Sequence, residues 1–380
     1  MDTLRIGLIG FGYMGKMHSF CYQNLQYYYK FPHPVKIELY ALATTSQGTG
    51  LPVEFTKIYP DYRDLIRDEN VDVVDICAPN FMHKDILLAA IRANKAIFCE
   101  KPLALNLTEA QEIMEAMEAS HYGKTNRIAF EYRFSPAVLR AKELIEEGRL
   151  GELIQFNVKY YGSEFLDPQR PISWQSTKEK AGGGVTYALG THAIDLIEYL
   201  VGPVEQVYAF QKTVFKERPI KGTHEMGKME LEDIMNVLCQ CRGDIPGTML
   251  LSQVAAGAGI DFSFEIYGKK GAVKFNQAAP NTLWYFDDTL PKAPHGGFSG
   301  YQAIETMQKY DGDAIFPPPR VDISWSRYHM ASIYDFVKAV VENRESAPSL
   351  WDAFQVQRVT DAIFASAREK KIRTVETGVR

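Results

Sequence analysis

The sequence predicts an α/β chain of two domains: a doubly wound parallel sheet over residues 1–126, then an α+β domain over residues 127–380 whose large sheet is mostly antiparallel and open on one face. Three observations predict this. The chain has 380 residues with 46% hydrophobic content, more than one core usually organises. Short β-rich runs alternate with helix-length segments through the first third. From residue 152 to about residue 288, extended runs follow one another with few helices between them.

Residues 3–9, Thr-Leu-Arg-Ile-Gly-Leu-Ile, form a strand that ends in Gly10-Phe11-Gly12-Tyr13-Met14-Gly15, and residues 16–29 continue as a helix. Further strands fall at residues 36–43, 71–78 and 96–99, with a helix at 84–93. Such alternation makes the sheet parallel, of the Rossmann type. Asn106 followed by Glu109 marks a helix start with a reciprocal acidic partner, and Ala110, Ile113, Met114 and Met117 then share one helical face. A strand at 127–132 and a helix ending at Gly148 follow. Extended runs come next at 154–161, 204–215, 233–241, 248–254 and 262–266, and Gly268 to Gly271 turns a hairpin into residues 272–275. Helical patterns return at 328–343 and 351–370 and are expected to pack back on the body. Because monomers seldom leave a sheet face open, a homodimer or homotetramer through that face is expected.

A net charge of −5, with both signs interspersed, gives no reason to expect nucleic acid or an anionic membrane as partner; a small polar ligand fits better. The five cysteines, Cys21, Cys77, Cys99, Cys239 and Cys241, are odd in number and sparse, which suits reduced thiols in the cytoplasm. Cys239 and Cys241 share a strand face but have no second pair nearby, so no metal site is expected. The first twelve residues read as strand and turn rather than as an export signal, and no window offers the roughly 18 uncharged apolar residues of a membrane span.

A glycine turn between a first strand and a first helix suits a dinucleotide. Pyrophosphate must approach the backbone without side chains in the way, and the helix presents amide groups and a positive dipole end to it. Gly10 allows the turn, Gly12 the close approach and Gly15 the tight packing of helix on strand, so Gly10, Phe11, Gly12, Tyr13, Met14 and Gly15 are cofactor-binding candidates. An acidic residue ending the second strand would hold the ribose hydroxyls of NAD, but this stretch reads Leu42-Ala43-Thr44-Thr45-Ser46-Gln47. Thr44, Thr45 and Ser46 offer small hydroxyls that accept a 2′-phosphate, so the cofactor is NADP or NAD with a slight lean to NADP. The usual arginine partner is missing from the loop.

From Cys99-Glu100-Lys101-Pro102 onward the chain resembles the glucose-fructose oxidoreductase and inositol dehydrogenase (Gfo/Idh/MocA) family. The resemblance rests on the glycine turn with His18 after it and on Ala78-Pro79-Asn80 with His83. It continues in Glu100-Lys101-Pro102, in Tyr132-Arg133-Phe134 with Pro136, and in Gly182-Gly183-Gly184 before Gly190-Thr191-His192 with Asp195. It implies an NAD(P)-dependent dehydrogenase oxidising a ring hydroxyl of a sugar, anhydrosugar or inositol by reversible hydride transfer. Pro79, Asn80, His83, Glu100 and Lys101 then adjoin the cofactor, with Lys101 beside the nicotinamide and the reacting carbon. Hydride removal from an alcohol also requires its proton to leave. His192, a side chain whose ordinary pKa is about 6.5, is the candidate base, and Lys101 shares in the proton transfer.

The family pattern carries an aspartate four residues before that histidine; here the position is Ala188. Asp195, three residues after His192, would bind a substrate hydroxyl or supply part of the missing charge. Arg133 is expected to pair with Glu100 or Glu131, while Glu100 shapes the loop and Pro102 fixes the turn. Tyr161, Arg170 and Trp174 join Lys101, His192 and Asp195 as substrate-binding candidates, since aromatic and guanidinium groups suit a polyol. Lys212-Thr213-Val214-Phe215 with Arg218-Pro219 looks most like dehydrogenases of pyranosides and anhydrosugars such as levoglucosan. Ala188 motivates an alternative, a cofactor-binding sensor or regulatory protein. A further alternative is a redox-assisted glycosidase that holds NAD.

Overall fold

The computed structural model describes residues 3–45, 51–309 and 312–376. Contacts divide the chain into two compact units. The first comprises Met1–Glu131, Lys309–Val321 and Trp325–Gln357, and the second Tyr132–Gln308, Asp322–Ser324 and Arg358–Arg380.

In the first unit β1 (Thr3–Ile9) leads through the glycine turn into α1 (Tyr13–Tyr28), followed by β2 (Lys36–Ala43), β3 (Lys57–Tyr59), α2 (Tyr62–Arg67), β4 (Val73–Ile76), α3 (His83–Arg92), β5 (Ala96–Cys99), α4 (Leu107–Ala119) and β6 (Asn126–Ile128). The strands form one six-stranded parallel sheet in the order β3-β2-β1-β4-β5-β6. β4 and β5, Val-Val-Asp-Ile and Ala-Ile-Phe-Cys, are buried at every position, as strands covered on both faces must be. Asn106 caps α4 by accepting from the Glu109 amide at 2.9 Å. Glu109 reaches back one residue further than a reciprocal box requires, to the Leu105 amide at 3.0 Å. The strand expected at 127–132 stops at Ile128, and Glu131–Phe134 forms a 3₁₀ turn that delivers Pro136 to the first position of the next helix.

The second unit begins with α5 (Pro136–Glu146), β7 (Leu153–Gly162), α6 (Lys178–Ala181) and α7 (Thr191–Leu200). Then come β8 (Val204–Lys212), β9 (Glu217–Pro219), β10 (Met226–Lys228), β11 (Ile234–Cys241), β12 (Ile245–Ser252), β13 (Ile260–Gly268), β14 (Gly271–Asn276), β15 (Thr282–Asp287) and β16 (Gln302–Glu305). The chain ends in α8 (Trp325–Glu342), α9 (Leu350–Glu369) and β17 (Arg373–Thr374). A nine-stranded sheet runs β16-β15-β14-β13-β7-β12-β11-β8-β17, antiparallel except where β12 pairs with β7. Alternate residues of β7, β11 and β13 are buried, among them Phe156, Val158, Tyr160, Val237, Phe262 and Phe264, with α5 and α7 against the sheet. The run expected to reach residue 215 leaves the ladder after Lys212, because the Val214 and Phe215 amides turn to donate to the Asp233 carboxylate.

Counted with the second domain on sequence, α8 belongs by its contacts to the first unit. It packs on α1, where Met330, Ile333, Phe336 and Val337 join Leu4, Ile6, Tyr22, Leu25 and Phe98 in one core. Arg127, fully buried, secures the return by donating to Ser346, to the Ser332 carbonyl and to Asp335.

Candidate active site

In the first unit the glycine turn has the shape its residues demand. Gly10 adopts φ +91, and a Cβ there would lie 2.7 Å from the Cys77 carbonyl oxygen; one on Gly15 would lie 2.3 Å from the Gly10 carbonyl oxygen. Around Gly12 nothing lies within 4 Å of a Cβ position, so the approach to the backbone is open. α1 begins immediately after Gly12 with no side chain capping it and no acidic residue in its first turn. These residues fit a pyrophosphate, since an acidic side chain or a cap would compete for the same amides. Phe11 packs edge-on against Phe55 at 5.9 Å, the exposed Tyr13 stacks on Trp325 at 6.0 Å, and Met14 is half-buried. Thr44 and Thr45 follow β2 at the sheet's carboxyl end; Ser46 lies outside the described residues.

Pro79 and Asn80 open a turn after β4, half-buried. His83 is fully buried, and its ring nitrogens face the carbonyl oxygens of Pro102 at 2.7 Å and Ala78 at 2.9 Å, so it clamps the loops after β4 and β5 to each other. Burial holds its pKa below the usual histidine value.

Lys101 follows β5, half-buried, and its peptide bond to Pro102 is cis. Behind it lies a buried charged cluster that the sequence reading left unassembled. His18 of α1 has Nδ1 3.0 Å from both carboxylate oxygens of Asp75 and Nε2 3.1 Å from Glu100 Oε1. Glu100 Oε2 accepts from the Lys101 amide at 3.2 Å. Burial works against a charge on His18, yet Asp75 beside it, with Cys77, raises its pKa well above the usual value. Glu131 accepts from the Trp325 indole at 3.2 Å and lies 3.6 Å from His329 Nε2. Burial, with the charge of Glu100, pushes Glu131 up to about 8. Burial, with His18 and Lys101, holds His329 well below the histidine range.

In the second unit His192 is the second residue of α7 and is buried. Its ring meets Tyr132 edge-on at 5.2 Å and Tyr160 at 6.4 Å; the two tyrosine hydroxyls are 2.9 Å apart, and Phe262 lies 4.6 Å from both rings. The turn that aims α7 is a π-helical one, Thr186–Gly190, an irregularity often found beside functional groups. Glu232, buried, holds it by accepting from the Gly184 amide at 3.0 and 3.1 Å and the Thr186 amide at 3.0 Å. A Cβ on Gly184 would lie 2.1 Å from the Glu232 carbonyl oxygen, which explains that part of the glycine run. Ala188 lies within the π-helical turn and is exposed.

Several of the candidate residues have protein partners of their own. Arg133 pairs with Asp195, at 2.6 to 3.1 Å. Asp195 is therefore a buried anchor for Arg133, which also lies over the Tyr199 ring. Tyr161 shares the opposite strand face with Lys159, which pairs with Asp261 at 2.6 Å, so Tyr160 is the tyrosine that faces His192. One residue changes the face because side chains alternate along a strand. Arg170 is engaged with the Glu164 carbonyl and carboxylate at 2.9 and 2.8 Å, and Trp174 opens a short 3₁₀ turn. Arg218 is buried and donates to the Phe165 and Asp167 carbonyls, which makes the 212–219 segment a structural brace.

Two family models match the chain: an oxidoreductase family NAD-binding Rossmann fold over residues 4–123 and an oxidoreductase family C-terminal alpha/beta domain over residues 142–377. Levoglucosan dehydrogenase of Pseudarthrobacter phenanthrenivorans is 30% identical, covering 97% of this chain and 97% of that enzyme. Myo-inositol 2-dehydrogenase of Thermotoga maritima is 28% identical over 75% of this chain and 79% of that enzyme. Among solved structures, levoglucosan dehydrogenase in complex with NADH and levoglucosan superimposes with a TM-score of 0.91 at 30% identity, covering 99% of this chain and 100% of that one.

Proposed function

The chain belongs to the glucose-fructose oxidoreductase and inositol dehydrogenase (Gfo/Idh/MocA) family, and on that premise we propose that it is an NAD(P)-dependent dehydrogenase oxidising a ring hydroxyl of a sugar, anhydrosugar or inositol. The observation that carries the reading is the open backbone at Gly12 heading an uncapped α1. A nicotinamide cofactor held there would supply the hydride acceptor. The amides that open α1 would hold its pyrophosphate, and Gly10 and Gly15 keep the turn tight enough to present them. Lys101 steadies the negative charge that develops on the substrate oxygen. His192 takes the hydroxyl proton, its ring fixed by Tyr132 and Tyr160.

The anhydrosugar class is the first to test, because the levoglucosan dehydrogenase relative matches nearly the whole chain. Cofactor choice rests on Thr44 and Thr45: a turn without a carboxylate does not repel a 2′-phosphate and leans the site to NADP, whereas the matched neighbour was solved with NADH. Phe210 and Leu238, 59% and 57% exposed on the open sheet face, support a homo-oligomer formed through it. All five cysteines are free, and burial pushes Cys239 up to about 12, which suits a reducing compartment such as the cytoplasm.

The test incubates the protein with NAD or NADP and a panel of anhydrosugars, pyranosides and inositols and follows reduced-cofactor absorbance. Turnover that Lys101→Ala and His192→Ala abolish supports the dehydrogenase. Tight cofactor binding with no turnover on the panel supports a sensor, the reading Ala188 motivates. Net glycosidic hydrolysis without accumulation of reduced cofactor supports a redox-assisted glycosidase.

A further inference from the structure

The roles assigned above use Lys101 but not the buried charges behind it. His18 is fully buried, and each ring nitrogen lies within hydrogen-bond reach of a different buried carboxylate, Asp75 at 3.0 Å and Glu100 at 3.1 Å. A neutral imidazole has one N–H, so it satisfies one carboxylate and turns a lone pair to the other; an imidazolium satisfies both. The three residues come from separate stretches: His18 from α1, Asp75 from β4, and Glu100 from just after β5.

We propose that His18 is a positioning residue for Lys101: as a buried imidazolium it ties α1, the helix that heads the dinucleotide cradle, to Glu100, whose carboxylate accepts the Lys101 amide. The proposal rests on the reading of Lys101 as an active-site residue. It makes the cofactor-binding helix and the Lys101 loop one rigid piece, so that the ammonium is placed relative to the turn that holds the pyrophosphate.

The surroundings support it. The His18 ring lies between the Asp75 and Glu100 carboxyl groups, at 3.0 and 3.1 Å, with no room for water to replace either partner's contact at a fully buried ring. Around it, burial with the charge of Glu100 pushes Glu131 up to about 8, burial with His18 and Lys101 holds His329 well below the histidine range, and burial raises Cys21, Tyr22, Cys77 and Cys99, with Arg327 acting on Cys21 in the opposite sense. Phe98 closes the cluster, edge-on to the His18 ring at 5.2 Å. With His18 neutral, one of the two buried carboxyl groups would face a ring lone pair, an arrangement that burial penalises.

The experiment uses the full chain labelled with 13C at histidine Cε1, the His18 resonance being assigned from its loss in His18→Asn. We expect that resonance to hold its imidazolium position from pH 6 to 8.5 while exposed histidines titrate; a His18 signal that titrates with them overturns the proposal. In Asp75→Asn, which preserves shape, His18 should begin to titrate within the same range. Positioning is read separately, by mass spectrometry of amine-selective labelling. Lys101 labelling should change at least threefold in His18→Asn and in Asp75→Asn, while Lys95 labelling stays as in the unsubstituted protein. Unchanged Lys101 labelling in both variants overturns the positioning role even if the imidazolium persists. Where turnover is measurable, kcat should fall at least tenfold with substrate KM within about twofold. The ligand atoms of His18, Glu100 and His329 lie within 4.8 Å of one another, so one equivalent of zinc that co-purifies and is lost in His18→Asn would also overturn the proposal. Neither spectroscopic nor labelling readout needs turnover; a chain that passes both yet oxidises nothing counts against the dehydrogenase reading alone.

Discussion

The surroundings of Lys101 and those of His192 are built from opposite materials. Behind Lys101 stands a buried polar cluster, with His18 between Asp75 and Glu100 at 3.0 and 3.1 Å and Glu131 3.6 Å from His329 beside it. His192 is enclosed by the rings of Tyr132 and Tyr160, with Phe262 closing the tyrosine pair, and its helix is aimed by a π-helical turn fastened to Glu232. A cation that must stay charged in a fixed place is served by paired counter-charges. On the proposed role of His192, a ring that exchanges a proton is served by packing that restricts its rotation.

The largest effects should come from the two residues themselves. Lys101→Ala is expected to lower kcat by about a thousandfold, since it removes charge stabilisation in a partly dry site. His192→Ala is expected to lower it by about a hundredfold or more, the usual loss for a general base. Steady-state kinetics with the best panel substrate decides this. A His192→Ala enzyme that keeps near-normal kcat would remove the proton-exchange half of the comparison.

The charged side is also open to a stability test. Burial pushes Glu131 up from 4.5 to about 8, so between those values the folded chain holds a proton that the unfolded chain has lost. Stability from this group is fully present below 4.5 and falls as pH rises through 8. Glu131→Gln keeps the shape and cannot ionise. Between pH 6.5 and 8 the variant should therefore gain on the unsubstituted protein by roughly 2 kcal/mol, at 1.36 kcal/mol per pH unit. Chemical denaturation at several pH values measures this. Parallel curves would mean that Glu131 is ionised throughout and that the cluster carries a net negative charge.

How much of each region was legible follows from the same difference. The glycine turn, the Asn106 cap and the order of the strands could be read because their chemistry is local, spelled within a few residues. The link between His18 and Asp75 spans 57 positions and that between Arg127 and Asp335 spans 208, so the sequence names the partners without pairing them. Glu100 and Glu131 are the partners the sequence offers Arg133, and the fold brings Asp195 to it. For His83 the motif position is visible in the sequence and the two carbonyls enclosing the ring are not. On the aromatic side the matter is one of phase: Tyr160 and Tyr161 are adjacent, and only the pleat decides which meets His192.

That phase can be tested directly. Tyr160→Phe removes a buried hydroxyl–hydroxyl bond to Tyr132 and should cost about 1–2 kcal/mol together with some kcat. Tyr161→Phe, on the other strand face beside Lys159, should cost less than about 0.5 kcal/mol and leave kcat unchanged. Equal effects from the two substitutions would contradict the strand phase and return Tyr161 to the site.

The smallest expected effect concerns the position where the chain departs from its family. Ala188 is exposed in the π-helical turn, four residues before His192, so an aspartate there meets no packing obstacle and lies close to the same helical face. If packing alone fixes the His192 ring, adding a carboxylate supplies charge that the site has dispensed with. If the ring also needs a counter-charge when it takes the proton, the carboxylate supplies what Asp195, held by Arg133, does not. We expect the second. Ala188→Asp should raise kcat about two- to fivefold, the scale of a solvent-exposed ion pair, with stability within about 0.5 kcal/mol. A kcat that stays level or falls would show that the aromatic enclosure suffices, and the two regions would then differ in principle as well as in material.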